Sequence, residues 1–136
     1  MVDSSEVITT TGTLCVMSQF SNGVYQFTTT APTRAAADEY LSQIEALFRD
    51  NTNVPLLRFL IDTTVAVVPL NYVMPGYKNL QTKYPNRPQV CMAVISSNNW
   101  IALMSGFANA LRIQQMSRFF KPGQRDEAMA WLLDNK

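Results

Sequence analysis

Two apolar runs set the frame of this chain: Leu56-Leu57-Arg58-Phe59-Leu60-Ile61 and Val90-Cys91-Met92-Ala93-Val94-Ile95. Each is six residues long, bounded by polar or proline-containing segments, and apolar at alternate as well as successive positions. That pattern predicts strands buried on both faces, at the middle of a sheet. Upstream, Val7 to Thr10 and Thr13 to Phe20 read as strands with Gly12 between them. Ser21-Asn22-Gly23 carries the Asn-Gly signal of a tight hairpin, and Val24, Tyr25, Phe27 and Thr28 to Thr30 form the return strand.

The helical segments show a different period. From about Arg34 to Asp50, residues Ala37, Tyr40, Leu41, Ile44, Leu47 and Phe48 recur at three and four, with Thr33 as the expected N-cap. A second helix is expected from Asn71 as cap, with Pro75 in its first turn and Tyr77, Leu80 and Tyr84 on its apolar side. Pro85-Asn86-Arg87-Pro88 ends it. A third is expected over about Trp100 to Gln114, a short strand over Ser117 to Phe120, and a last helix from Gln124 to Asn135 facing inward with Ala128, Trp131 and Leu132. The run Val65-Ala66-Val67-Val68 is left open: a strand extension, a loop under the core, or a pocket wall.

Strands alternating with helices predict an α/β fold: a mixed β-sheet of five to six strands packed with about four helices, in a single domain over residues 1–136. Composition agrees, with 47% apolar and 15% charged residues in 136. No apolar run is long enough to cross a bilayer. The opening Met1-Val2-Asp3-Ser4-Ser5-Glu6 lacks the basic and apolar regions of a secretion signal, so a cytoplasmic protein is expected. Cys15 and Cys91 read as buried small hydrophobes inside strands. Net charge is +1, but residues 63–125 hold seven basic residues and no acid. Whether they converge depends on how folding interleaves them with Asp38, Glu39 and Glu45. Without a basic run or reader motif, no nucleic-acid partner is expected.

Little chemistry is on offer. Histidine is absent, and the five glycines are scattered, so neither a phosphate loop nor a dinucleotide fingerprint exists. Two separated cysteines make no metal site. Asp62 is the one acid at a strand end facing the expected ligand edge, and its simplest role is to bond loop backbone. No catalytic residue, metal or cofactor is assigned, and a non-enzymatic protein is expected.

The strand end Phe59-Leu60-Ile61-Asp62-Thr63-Thr64, then Pro69-Leu70-Asn71, Val94-Ile95-Ser96, Ser117-Arg118-Phe119-Phe120 and the closing Arg125 to Leu132 resemble the STAS-like fold of anti-sigma-factor antagonists and of sulfate-transporter cytoplasmic domains. The likeness is closer to the bacterial single-domain relatives grouped as SpoIIAA-like. It implies a regulatory, protein-interaction domain. Phosphorylatable members of the family carry an Asp-Ser-Ser-Gly-like motif at the start of the helix after the central strand. Here the matching Val67-Val68-Pro69-Leu70-Asn71-Tyr72-Val73 has no serine, threonine or glycine. The usual phosphoserine switch is therefore not expected.

Two binding modes follow. A protein partner would meet Asp62, Thr63, Thr64, Asn71, Tyr72, Met74, Tyr77 and Lys78, since aromatic residues and methionine are enriched in interface cores. A small apolar ligand would instead sit among Val65, Val67, Met74, Trp100, Met104 and Phe107. The resemblance adds some weight to the second, because relatives of this fold group are thought to bind apolar ligands. An open sheet also leaves edges through which a homodimer could form.

Overall fold

The computed structural model describes residues 6–97 and 117–134. Six strands form one mixed sheet in the spatial order β1-β2-β3-β4-β5-β6, the same as the chain order. They are β1 (Val7–Thr11), β2 (Cys15–Phe20), β3 (Val24–Thr29), β4 (Leu56–Asp62), β5 (Gln89–Ile95) and β6 (Ser117–Phe120). The first three pair antiparallel. From β3 onward every pairing is parallel. The two apolar runs lie side by side as β4 and β5, in register from Leu56↔Gln89 to Asp62↔Ile95.

The hairpin forms where Asn-Gly predicts it. Gly23 takes φ +93°, a left-handed conformation that glycine adopts without a steric penalty. Its N–H donates to the Phe20 carbonyl, and the Asn22 side chain accepts from the Val24 N–H.

Three helices are described: α1 (Arg34–Asp50), α2 (Leu70–Lys83) and α3 (Arg125–Asp134). The fourth, expected over Trp100 to Gln114, lies outside the described residues. Helix α1 has the expected bounds, and the Thr33 hydroxyl accepts from the Ala36 N–H. Helix α2 departs from expectation. It starts at Leu70 with Pro69 in the cap position, and no side chain caps it. Asn71 is thus an exposed helical residue rather than the cap. Pro75 is interior rather than in the first turn, but it and Asn71 face solvent, where water can take the carbonyl that loses its partner. Helix α3 starts one residue later than expected, after a 3-10 turn over Pro122–Gln124. Its inward side includes Met129 as well as Ala128 and Leu132, while Trp131 is only partly buried and tilts against Phe120.

Strand alternation divides the core between the two faces of the sheet. One face joins Cys15, Phe27, Leu57, Phe59, Ile61, Met92 and Val94 to α1 and α2. Phe59 and Tyr40 both meet the Phe27 ring edge-on. The other joins Val24, Leu60, Cys91, Ala93 and Ile95 to α3. The run that reads as continuously apolar contains one charge, Arg58. It points to the α3 face, and its Nε–H donates to the Leu132 carbonyl at 2.9 Å. Because Cys15 and Cys91 fall on opposite faces, no disulfide can join them.

Candidate functional site

Parallel β4 and β5 end at Asp62 and Ile95, and the chain leaves this edge through residues 63–69 before entering α2. The backbone there is held by its own polar groups. One Asp62 carboxylate oxygen accepts from the Thr64 N–H at 2.9 Å and from the Thr64 hydroxyl at 2.7 Å. Thr63 turns inward and donates both its N–H and its hydroxyl to the Ile95 carbonyl. This ties the loop to the end of the neighbouring strand. Beside it, the Ser96 hydroxyl is buried without a hydrogen-bond partner among the described residues.

Beyond this anchor the apolar run Val65 to Val68 is neither strand nor helix. Val65 is 69% exposed. Ala66 and Val67 are half-buried, and Val68 packs onto the α1–α2 core. Of the alternatives left open for this run, the strand extension does not form; the run is a loop across the edge of the core.

The expected partner residues separate by depth. Thr64, Asn71 and Lys78 are exposed; Asp62, Tyr72 and Met74 are half-buried. Thr63 and Tyr77 do not reach the surface. Tyr77 is 1% exposed, its ring meeting Phe48 edge-on at 6.3 Å, so it is a core residue below the helix surface. Tyr72 connects the two helices: its hydroxyl donates to Asp38 at 2.7 Å, and the Arg34 guanidinium lies 5.2 Å above its ring. The hydrogen bond to Asp38 raises the Tyr72 hydroxyl above its ordinary pKa. Of the expected cavity residues, Val67 and Met74 are half-buried, with Met74 against the core, and Val65 faces out. Trp100, Met104 and Phe107 lie outside the described residues.

A second polar constellation, absent from the sequence reading, lies next to this edge where β1 turns into β2. The backbone N–H groups of Thr13, Leu14 and Cys15 all donate to one oxygen of Glu39 on α1, and the Thr13 hydroxyl donates to the other. Successive amides converging on one carboxylate form an anion nest. These bonds, led by those from Thr13 and Cys15, hold the Glu39 carboxyl below its usual range. They also explain why β2 begins at Cys15 instead of Thr13: the intervening amides face Glu39, not a strand. Gly12 makes the bend at φ +100°, and a Cβ there would meet the Cys15 carbonyl oxygen at 2.1 Å. The only sequence signals were a lone glycine and an acid in a helix's first turns, and neither indicates the other.

Among the described residues, the basic side chains of the second half are spread over both sides of the sheet. Lys83 pairs with Glu45, which also accepts from the Tyr84 hydroxyl. Arg87 donates to the carbonyls of Gln81 and Tyr84. On the opposite side of the sheet, Arg125 donates to Gln26 and lies over Phe20. No group of three metal-ligating side chains comes together among the described residues, and none of their helices is long and apolar enough to cross a membrane.

The family model described as SpoIIAA-like matches residues 27–133. The chain belongs to the SpoIIAA-like family. The match runs from the second half of β3 to the last turn of α3, and so includes β4, β5, β6 and the loop after Asp62. It makes this SpoIIAA-like chain a STAS-like α/β domain. No curated protein matches it.

Proposed function

We propose that this SpoIIAA-like domain is a non-enzymatic regulatory module that docks a protein partner at the loop after β4 and the start of α2. One observation carries the reading. Val65, the most exposed large apolar residue among those described, projects from the edge where open α/β sheets meet their ligands. A valine held there costs hydration unless something covers it. The Asp62–Thr64 and Thr63–Ile95 bonds hold the base of its loop fixed, which lowers the ordering cost of a contact. Thr64, Asn71 and Lys78 supply a polar rim, with Tyr72 and Met74 partly accessible between them.

The same segment argues against a phosphoserine switch. Val67 to Val73 offers no hydroxyl other than that of Tyr72, the Thr63 hydroxyl is buried against Ile95, and the exposed Thr64 hydroxyl is engaged with the Asp62 carboxylate, whose charge opposes a phosphate there. Binding here would be constitutive, through shape and apolar contact.

The test compares capture of partners from the source cell by wild type, Val65→Asp, Asn71→Arg and the remote control Asn53→Arg, with cross-link mapping. The reading expects a protein cross-linked at residues 64–78 that is lost with the first two variants and kept with the third. Equal capture by all four would overturn it. Native mass spectrometry of the purified chain reads the other binding mode: a co-purified apolar molecule, displaced by a bulky substitution at Val67, would replace protein docking with ligand binding.

A further inference from the structure

The two outer strands of the sheet differ in how they meet solvent. β6 is four residues long, carries exposed Arg118 and runs into Lys121-Pro122. Charge, shortness and proline are the usual means of blocking further strand pairing. β1 is one residue longer and has neither charge nor proline. It reads Val-Ile-Thr-Thr-Thr, wholly β-branched, uncharged and without proline, and all five residues are exposed. Val7 and Ile8 are 50% and 59% exposed. One device is present: the register with β2 shifts between Val7 and Thr9. Beyond that bulge, Thr9, Thr10 and Thr11 run in unbroken register with Gln19, Ser18 and Met17. As the first strand in the sheet order, this straight stretch pairs with no other strand among the described residues on its outer side.

We propose that β1 is a self-association edge, pairing antiparallel with β1 of a second copy of this chain about a twofold axis at Thr10. The sheet would then run continuously from one copy into the other. Thr10 faces its own counterpart and Thr9 faces Thr11, within the stretch that lies between the bulge and the bend at Gly12. Threonine opposite threonine is a favourable cross-strand pair. A second copy suits this edge for two reasons. The strand brings no like charges together, and a net charge of +1 leaves little repulsion between copies. A twofold pairing also uses both free edges at once and closes. Joining β1 to β6 would propagate without end, and the charge and proline at β6 oppose it. The interface is independent of the docking face proposed above, since β1 is separated from β4 by two strands.

So short a ladder falls well below a standard interface, and weak, concentration-dependent association is expected. Sedimentation equilibrium up to about 1 mM reads it directly. Wild type should show a monomer–dimer equilibrium. Thr10→Lys and Thr10→Glu each place like charges face to face and should weaken the dimer at least about tenfold, with unchanged melting temperature showing that each still folds. An equimolar mixture of the two should restore dimerisation, because Lys then faces Glu. A wild type that stays monomeric throughout, a dimer indifferent to both substitutions, a mixture that fails to recover, or growth beyond the dimer would each overturn the proposal.

Discussion

Arg58, in the middle of the most buried part of the sheet, donates from Nε to the carbonyl of Leu132 in the last turn of α3. A cation at a helix C-terminus satisfies a carbonyl that the helix leaves open and opposes the negative end of its dipole. The bond joins residues 74 positions apart and fixes α3 against β4. Arg58→Met keeps an unbranched chain out to about the Nε position but removes the guanidinium donor. It should lower stability by about 1–2 kcal/mol, read as a reduced urea midpoint, with the loss centred on α3 in amide exchange.

The Glu39 nest makes one carboxylate contribute to acid stability, beside the paired Glu45 and Asp50. Its folded-state pKa is lowered by the amides of Thr13, Cys15 and Leu14 and the Thr13 hydroxyl, while in the unfolded chain it returns to the ordinary range of about pH 4–5. The stabilisation is therefore fully present above that range and is lost as pH falls through the lower folded value. Glu39→Gln should melt lower than wild type near neutral pH. The gap should narrow as pH falls below about 4. Melting temperature followed against pH for both proteins checks the sign; a gap that widens in acid would contradict it.

Tyr77 and Asn71 sit on one helix yet should behave oppositely. Tyr77→Ala empties a site against Phe48 and should cost about 3–5 kcal/mol. Asn71→Arg changes an exposed position and should stay within about 0.5 kcal/mol of wild type. Chemical denaturation separates them, and it makes Asn71, not Tyr77, the substitution suited to testing partner docking.

Both thiols are shielded. Burial pushes Cys15 up to about 12, with the Glu39 charge adding to it, and pushes Cys91 up to about 11. The thiolate is the reactive form. In the folded protein neither cysteine should react with a disulfide reagent at about pH 8, and both should react once urea unfolds the chain. Rapid labelling of the native state would show that one face of the sheet opens readily.

The sequence by itself determined the described elements and their order, apart from where α2 begins. β4 and β5 announced themselves because burial on both faces demands apolar residues at every position. Helix α1 did so because its single apolar stripe repeats at the helical period. Asn22-Gly23 fixed the hairpin because so few residues accept its geometry. These are local properties, written within a few neighbouring positions. The tertiary structure alone decided depth and partnership. Tyr77 and Lys78 are adjacent in sequence, yet one lies in the core and the other in water, because the packing of α1 beside α2 sets which side of the helix is covered. Glu39 meets Thr13 to Cys15, Arg58 meets Leu132, and Thr63 meets Ile95 across 24 to 74 positions. No spacing rule connects such residues. They meet because the sheet brings them together, and directional polar bonds then select the partner that happens to lie within reach.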